Sequence, residues 1–464
     1  MIDQTTTAPS GVATAIPLET LKTNFKGELL LPGDAGYDEA RKVWNGMIDK
    51  RPAVIARCNN VQDVIQAVNF ARNNKLIVSV KGGGHNVTGN AVCDNGIMID
   101  LSLMRSVKVD PEKQIAEVQT GATWGDFDNA TQKYGLACTG GLISTTGVAG
   151  LTLGGGVGWL VRKHGLSCDN LTEAEIVTAD GKLQKISTKE NAELFWGIRG
   201  GGGNFGVVTS MTFRVHKLNQ VTGGMILHPQ NKAKEVIQFY REFMKTAPDE
   251  LTLYTALLTS PDGFPIVALI GCYSGDPEKA EAVLKPLREF GPPIADLMQP
   301  KSYIEMQTIL DGPFPHGNRY YWKSGFLKNL SDEAIDVIVS NGATVPSPGT
   351  AIILELYGGA SGREPEAGTS YPHRQSEFDL VIISHWVNSE EDEKNITWTR
   401  KFYEAMQPCL SNKVYVNTLG VEGEERVKEA YGENYQRLAA LKSKYDPENL
   451  FRLNQNIPPV QKTM

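Results

Sequence analysis

Three glycine-dense stretches constrain this chain more than any other feature: KGGGHNVTG (81–89), TTGVAGLTLGGGVG (145–158) and RGGGGNFGVV (199–208). Glycine carries no Cβ, so each stretch lets backbone N–H groups come close to an anionic oxygen. Three such loops ahead of the chain's midpoint predict one large, extended, phosphate-bearing cofactor. The first loop runs straight into His85, which puts an imidazole at the lip of that cradle.

The rest of the composition narrows the class. A chain of 464 residues carries a length prior of about three domains, and buries enough apolar surface to fold without staples. The formal charge is −7 and no basic block occurs, which argues against a nucleic acid partner. Six scattered cysteines show no CxxC, and seven histidines no HxxxH or HExxH pair, so no protein metal site is expected. Buried free thiols in a reducing compartment are the simpler reading. No apolar run reaches the ~20 residues of a membrane span. Residues 1–17 lack the basic and apolar regions of a signal peptide, and a disordered lead is expected over 1–20. The sequon Asn86-Val87-Thr88 lies inside the first loop, where a glycan could not be accommodated. The address implied is cytoplasmic.

Element patterns place the loops. A strand over 51–59 precedes a helical run with Val61, Val64, Ile65 and Val68 on one face and Asn60 as N-cap; a second strand then ends in His85. This βαβ unit delivers the histidine to a strand's C-terminal end, where ligands usually sit. Asp180-Gly181 marks a hairpin, and 206–215 a closing strand. The run Gly201–Gly206 matches GxGxxG, but a helix precedes it and a strand follows. That order is the reverse of a dinucleotide fingerprint. After about residue 218, longer helices alternate with strands, including TAIILELYGG, FDLVIISHWV and KVYVNT. An α+β lobe results, a sheet covered by helices on one side.

The motifs KGGGHNVTG, TTGVAGLTLGGGVGWLVRKHGL, IVTADG, ELFWGIRGGGGNFGVV and YDPENLFRLNQNIP, in this order, resemble the berberine bridge enzyme-like FAD-linked oxidases of the vanillyl-alcohol oxidase superfamily. The resemblance spans residues 51–218 and 415–459. It implies a two-lobed PCMH-type fold: a FAD-binding domain over 21–218, an antiparallel-sheet substrate domain over 219–414, and a segment, 415–464, returning to the first domain. It further implies that Gly82, Gly83, Gly84 and Asn86, with Gly89, line one wall of the FAD site. Thr146, Gly147, Gly150, Gly154 and Gly158 form the second wall, Gly203 and Val208 lie near the adenine, and Asn454 and Asn456 approach the isoalloxazine. His85 matches the family's histidyl attachment point. Many members add a cysteinyl link at the position held here by Ile143, and Cys138 is out of register, so a single covalent bond through His85 is implied. In this the chain is similar to the 6-hydroxy-D-nicotine oxidase-like subgroup.

Strand alternation puts Ile352, Leu354 and Leu356 on one face and Glu355 and Tyr357 on the other, a pattern that also fits a sheet with one solvent face. The resemblance places a substrate-contacting glutamate at Glu355 and a Tyr-x-Asn pair at Tyr415 and Asn417. Tyr415, Glu355 and Tyr357, in that order, are the expected bases, and Asn417, Tyr321 and Trp386 the expected substrate contacts. The expected reaction is hydride transfer from a C–H next to a hydroxyl or amine of a small molecule, with O₂ reduced to H₂O₂. A small Thr152 at the family's oxygen-gating position favours an oxidase. The alternatives are a dehydrogenase with another acceptor and a flavin-binding protein with little activity. A monomer or homodimer without nucleic acid or membrane partners completes the expectation.

Overall fold

The computed structural model describes residues 18–363, 365, 368–374 and 378–460. The expected disordered lead lies outside them as far as residue 17. Asn60 caps the helix Val61–Asn73 by accepting from the amides of Gln62 and Asp63, and Val64, Ala67 and Val68 are buried beneath it. The flanking strands Val54–Arg57 and Val78–Lys81 both pair in parallel with Ile97–Asp100, which lies between them. A parallel strand in that central position requires a crossover connection, and the helix supplies it. The glycine loop therefore leaves the sheet at a strand C-terminus, as expected.

A second, antiparallel sheet runs in the order Val107–Asp110, Ile115–Gln119, Val207–Arg214, Leu171–Val177, Leu183–Ser187. Its last pair is the hairpin announced by Asp180-Gly181, with Gly181 at φ +77°.

The C-terminal chain is fastened back to the third glycine loop by buried polar contacts. Lys442, fully buried, donates to Asp446 Oδ2 (2.7 Å), Asn204 O (2.8 Å) and Phe451 O (2.9 Å). Asp446 also accepts from the amides of Leu450 (2.8 Å) and Phe451 (2.9 Å). Asn204 closes the circuit by accepting from the Ile457 amide at 2.9 Å.

An antiparallel sheet forms the other half of the molecule. Its path runs Ala295–Asp296, Gln220–Pro229, Pro265–Tyr273, Leu251–Thr259, Ala351–Leu356, Phe378–Trp386, Arg319–Phe326. The strand Gln299–Ser302 also pairs with Gln220–Pro229. Helices Ala233–Phe243, Pro277–Glu289, Asp332–Gly342 and Asp392–Met406 cover one face, where Ile352, Leu354, Leu380 and Ile382 join their core. The opposite face is not solvated. Ile353, Val381 and Ile383 belong to a separate apolar cluster with Trp44, Trp159 and Leu160, from the N-terminal half.

One strand expectation fails. KVYVNT forms no ladder: Lys413 O accepts from Phe326 N (3.1 Å), after which Thr418 N turns back to Tyr415 O (3.1 Å). Beyond Lys413 the segment crosses between the two halves and pairs with no strand among the described residues.

Replacing Asp446 with Ala leaves the Lys442 charge buried without its counter-ion and strands two amides. Unfolding in denaturant is expected to show a loss of about 3–5 kcal/mol. A loss below about 1 kcal/mol would contradict this anchoring role.

Candidate active site

The glycine loops and the inner face of the large sheet enclose a cavity of about 360 Å³. Its wall includes Gly82, Gly83, Gly84, His85 and Asn86 from the first loop. Thr146, Gly147 and Gly150 come from the second, and Gly203 and Val208 from the third. Asn454, Asn417, Tyr415 and Glu355 complete the expected residues that the structure brings together here.

The first two loops touch backbone to backbone. A Cβ on Gly83 would lie 2.4 Å from Gly147 N, and one on Gly147 would lie 2.5 Å from Gly83 N. Only glycine fits at such an approach. By contrast Gly150 and Gly203 have open space where a Cβ would go, as expected of backbone facing a bulky ligand. Among the described residues no Lys, Arg or Asp lines the cavity. A diphosphate in it would be held by backbone N–H groups, which is the chemistry glycine loops provide. Buried polar atoms without partners point the same way, including His85 Nε2, Asn454 Oδ1 and Trp322 Nε1. These residues fit FAD.

His85 is buried, and loss of hydration pushes its imidazole down to about 3. It is therefore neutral at physiological pH and keeps a lone pair. Trp44 stacks on it with ring centroids 4.4 Å apart, and Tyr320 stacks on the far side of Trp44 at 3.7 Å. This packing fixes the plane of the imidazole. Ile143 lines the cavity, whereas Cys138 is buried off it with its thiol pushed up by desolvation. Cys138 is thus neither placed nor ionised for a second link.

Glu355 is the one carboxylate that lines the cavity among the described residues. Burial pushes its carboxyl up to about 7, although a hydrogen bond from Tyr357 (2.9 Å) opposes the shift. The Tyr415 oxygen accepts from Gly156 N (2.8 Å) and Asn417 Nδ2 (2.7 Å). Those bonds favour the phenolate, but burial outweighs them and raises the phenol above its usual range. Tyr415 and Asn417 meet through a turn rather than across a strand face.

Several expected residues do not reach the cavity. Gly154 makes room for Asn417, whose Oδ1 would lie 2.1 Å from a Cβ there, and a Cβ on Gly158 would lie 1.6 Å from Gly140 O. Gly89 sits in a turn at φ +68° against Ile48. Asn456 lies beyond the cavity wall. Tyr357 stands behind Glu355, bonded also to Asp379 Oδ2 at 3.1 Å. Alternation explains the remaining two. Tyr321 points to the helix-covered side, where its hydroxyl accepts from Arg400 Nε (3.0 Å), and Trp386 donates there to Asp392 Oδ1 (2.7 Å). The cavity-facing neighbour is Trp322, which the sequence reading passed over. Thr152 is likewise off the cavity, its hydroxyl bonded to Val148 O within its own helix at 2.7 Å. It therefore gives no information on oxygen access. Asp379, directly opposite Glu355 in the sheet, was also missed.

Comparison with known proteins identifies relatives of this chain. Residues 52–187 match an FAD binding domain model, and residues 414–458 a berberine and berberine-like model. An FAD-linked oxidoreductase of Dictyostelium discoideum is 34% identical over 94% of this chain and 96% of its own length. The (R)-6-hydroxynicotine oxidase of Paenarthrobacter nicotinovorans is 31% identical over 94% of this chain and 97% of its own. The crystal structure of 6-hydroxy-D-nicotine oxidase from Arthrobacter nicotinovorans superposes with a TM-score of 0.86 at 29% identity, covering 96% of this chain and 100% of that one.

The raised Glu355 carboxyl has a stability consequence. The unfolded chain gives up this proton near pH 4.5 and the folded chain near 7, so the folded state binds more protons between them and loses stability as pH rises through that window. Glu355→Gln removes the loss. Its stability relative to wild type is expected to be on the order of 3 kcal/mol more favourable at about pH 8 than at about pH 4. Equal differences in denaturant midpoint at the two pH values would contradict a raised carboxyl.

Proposed function

The chain belongs to the family of berberine-like FAD-linked oxidoreductases, and on that premise we propose that it is an oxidase of a small organic alcohol or amine, carrying FAD bonded once, through His85. The observation that supports this reading best is the placement of two groups on one cavity: a neutral imidazole with an unpartnered nitrogen, and a lone carboxylate poised near neutrality. FAD, when bound, supplies the two-electron acceptor for the substrate hydride and returns the electrons to O₂ as H₂O₂.

The protein's own groups divide the remaining work. A lone pair is what an imidazole needs to form the covalent link, and burial keeps it available on His85 at any physiological pH. Trp44 and the glycine backbone hold that ring in place. Glu355 takes the O–H or N–H proton of the substrate, because a carboxyl that titrates near the working pH is the better acceptor. Tyr415, raised by burial, serves as a hydrogen-bond partner to the substrate heteroatom. This reverses the order expected from sequence. Trp322, Ile353, Val381 and Ile383 supply the apolar wall that keeps water from the reacting carbon. The name of the hydroxynicotine oxidase relative supports an amine or hydroxylated ring as substrate.

Acid precipitation tests the attachment. Wild-type pellets are expected to stay yellow, and pellets of His85→Ala to turn white with free FAD in the supernatant. White wild-type pellets would refute the covalent link. A screen of alcohols and amines for peroxide release tests the oxidase reading. With an active substrate, kcat/KM is expected to rise with pH through a limb near 7 that Glu355→Gln abolishes. Flavin that stays reduced in air for many minutes would point instead to a dehydrogenase.

A further inference from the structure

Behind the cavity, three oxygen atoms meet with too few protons for an all-anionic arrangement. Tyr357 Oη lies 2.9 Å from Glu355 Oε2 and 3.1 Å from Asp379 Oδ2. A phenol has one proton, so it can donate to one of these carboxyl oxygens only. The other contact becomes a hydrogen bond only if that carboxyl brings its own proton. Glu355 and Asp379 are also direct cross-strand partners, where two like charges destabilise a sheet.

Burial decides which acid carries the extra proton. Asp379 has no exposed surface and does not line the cavity, whereas Glu355 does. The groups around the pair are mostly neutral phenols: Tyr254 beside Glu355 in the sheet, with Tyr240, Tyr371 and Tyr415 nearby. Two cations face it. Arg162 is spent on the carbonyls of Leu251 (2.9 Å) and Tyr357 (3.3 Å). Arg426 is paired with Glu429 at 2.6 Å and Glu422 at 3.4 Å. Arg426 therefore opposes a raised Asp379 only in part: desolvation pushes that carboxyl well up, with Glu355 adding to the shift.

We propose that Asp379 is a positioning residue: a carboxyl that stays protonated, donates to the Tyr357 oxygen, and thereby turns the phenol proton onto Glu355, holding Glu355 as the oriented anionic acid of the cavity. The inference rests on the reading of Glu355 as the proton acceptor, but it concerns where a proton resides and is measurable without a substrate.

Infrared spectroscopy of the flavin-loaded enzyme, titrated from about pH 5 to about pH 9, tests it. Wild type is expected to show a carboxylic C=O band that persists across the range and is lost in Asp379→Asn. A second band, titrating near 7, is lost in Glu355→Gln. Asparagine can still donate to the phenol, so Asp379→Asn leaves the Glu355 midpoint in place. Asp379→Leu also removes a neutral group and leaves the phenol proton on Glu355, so it likewise does not lower that midpoint. A midpoint that falls by about one unit in Asp379→Asn would mean a negative charge had been removed, and would overturn the proposal. So would the absence of the persistent band from the difference spectrum between wild type and Asp379→Asn, in which the contribution of Asp128, the other carboxyl that burial pushes well up, cancels. Should the Asp379 variants fail to fold, Tyr357→Phe serves instead: the Glu355 midpoint rises and the persistent band shifts in frequency, and no change in either would overturn it. A correct pattern of bands in a protein that releases no peroxide from any substrate would count against the oxidase reading alone.

Discussion

The approach of Gly83 to Gly147 is the constraint on which this structure depends. A single methyl group on either residue would collide with backbone of the other at about 2.5 Å, so the two loops can close against each other only as glycine. That closure sets one wall of the cofactor cavity and fixes the exit of the chain toward His85. It also fits the lining, in which no lysine or arginine appears among the described residues. The wall is peptide backbone, and its N–H groups are what would hold a diphosphate. The Lys442, Asp446 and Asn204 network then holds the third loop and the C-terminal chain in the same frame.

The second half of the molecule uses the two faces of one sheet for different purposes. One face is buried under helices by ordinary aliphatic packing. The other, also buried, closes the cavity with apolar residues and, among the described residues, a single carboxylate. A charged group in so dry a place would be a defect if it were only structural. Here its hydrogen bond from Tyr357 lowers that cost, and burial brings its proton affinity to the range where acid–base chemistry is most effective.

Local features of the fold were legible in the sequence because they rest on local physics. The Asn60 cap, the amphipathic helix behind it, the Asp180-Gly181 hairpin and the alternation in TAIILELYGG all follow from neighbouring residues. Alternation even separated Leu354 from Glu355 correctly. What sequence could not decide was which parity of each strand faces inward. Tyr321 and Trp386, both expected at the substrate, belong to the helix side, and it is Trp322 that faces the cavity. Nor does a glycine say what approaches it. Gly154 and Gly158 make room for Asn417 and for the Gly140 carbonyl, not for a cofactor. The pairing of Glu355 with Asp379 depends on the register between two strands more than twenty positions apart in sequence, which no local pattern encodes.

The most direct test of the central claim is the mass of one tryptic peptide. Cleavage after Lys81 and Arg105 releases residues 82–105, which contain His85, and cleavage after Lys133 and Arg162 releases residues 134–162, which contain Cys138. The account predicts that the first peptide carries the added mass of one FAD, localised to His85 on fragmentation, while the second is unmodified. An unmodified first peptide, or FAD on the second, would contradict it.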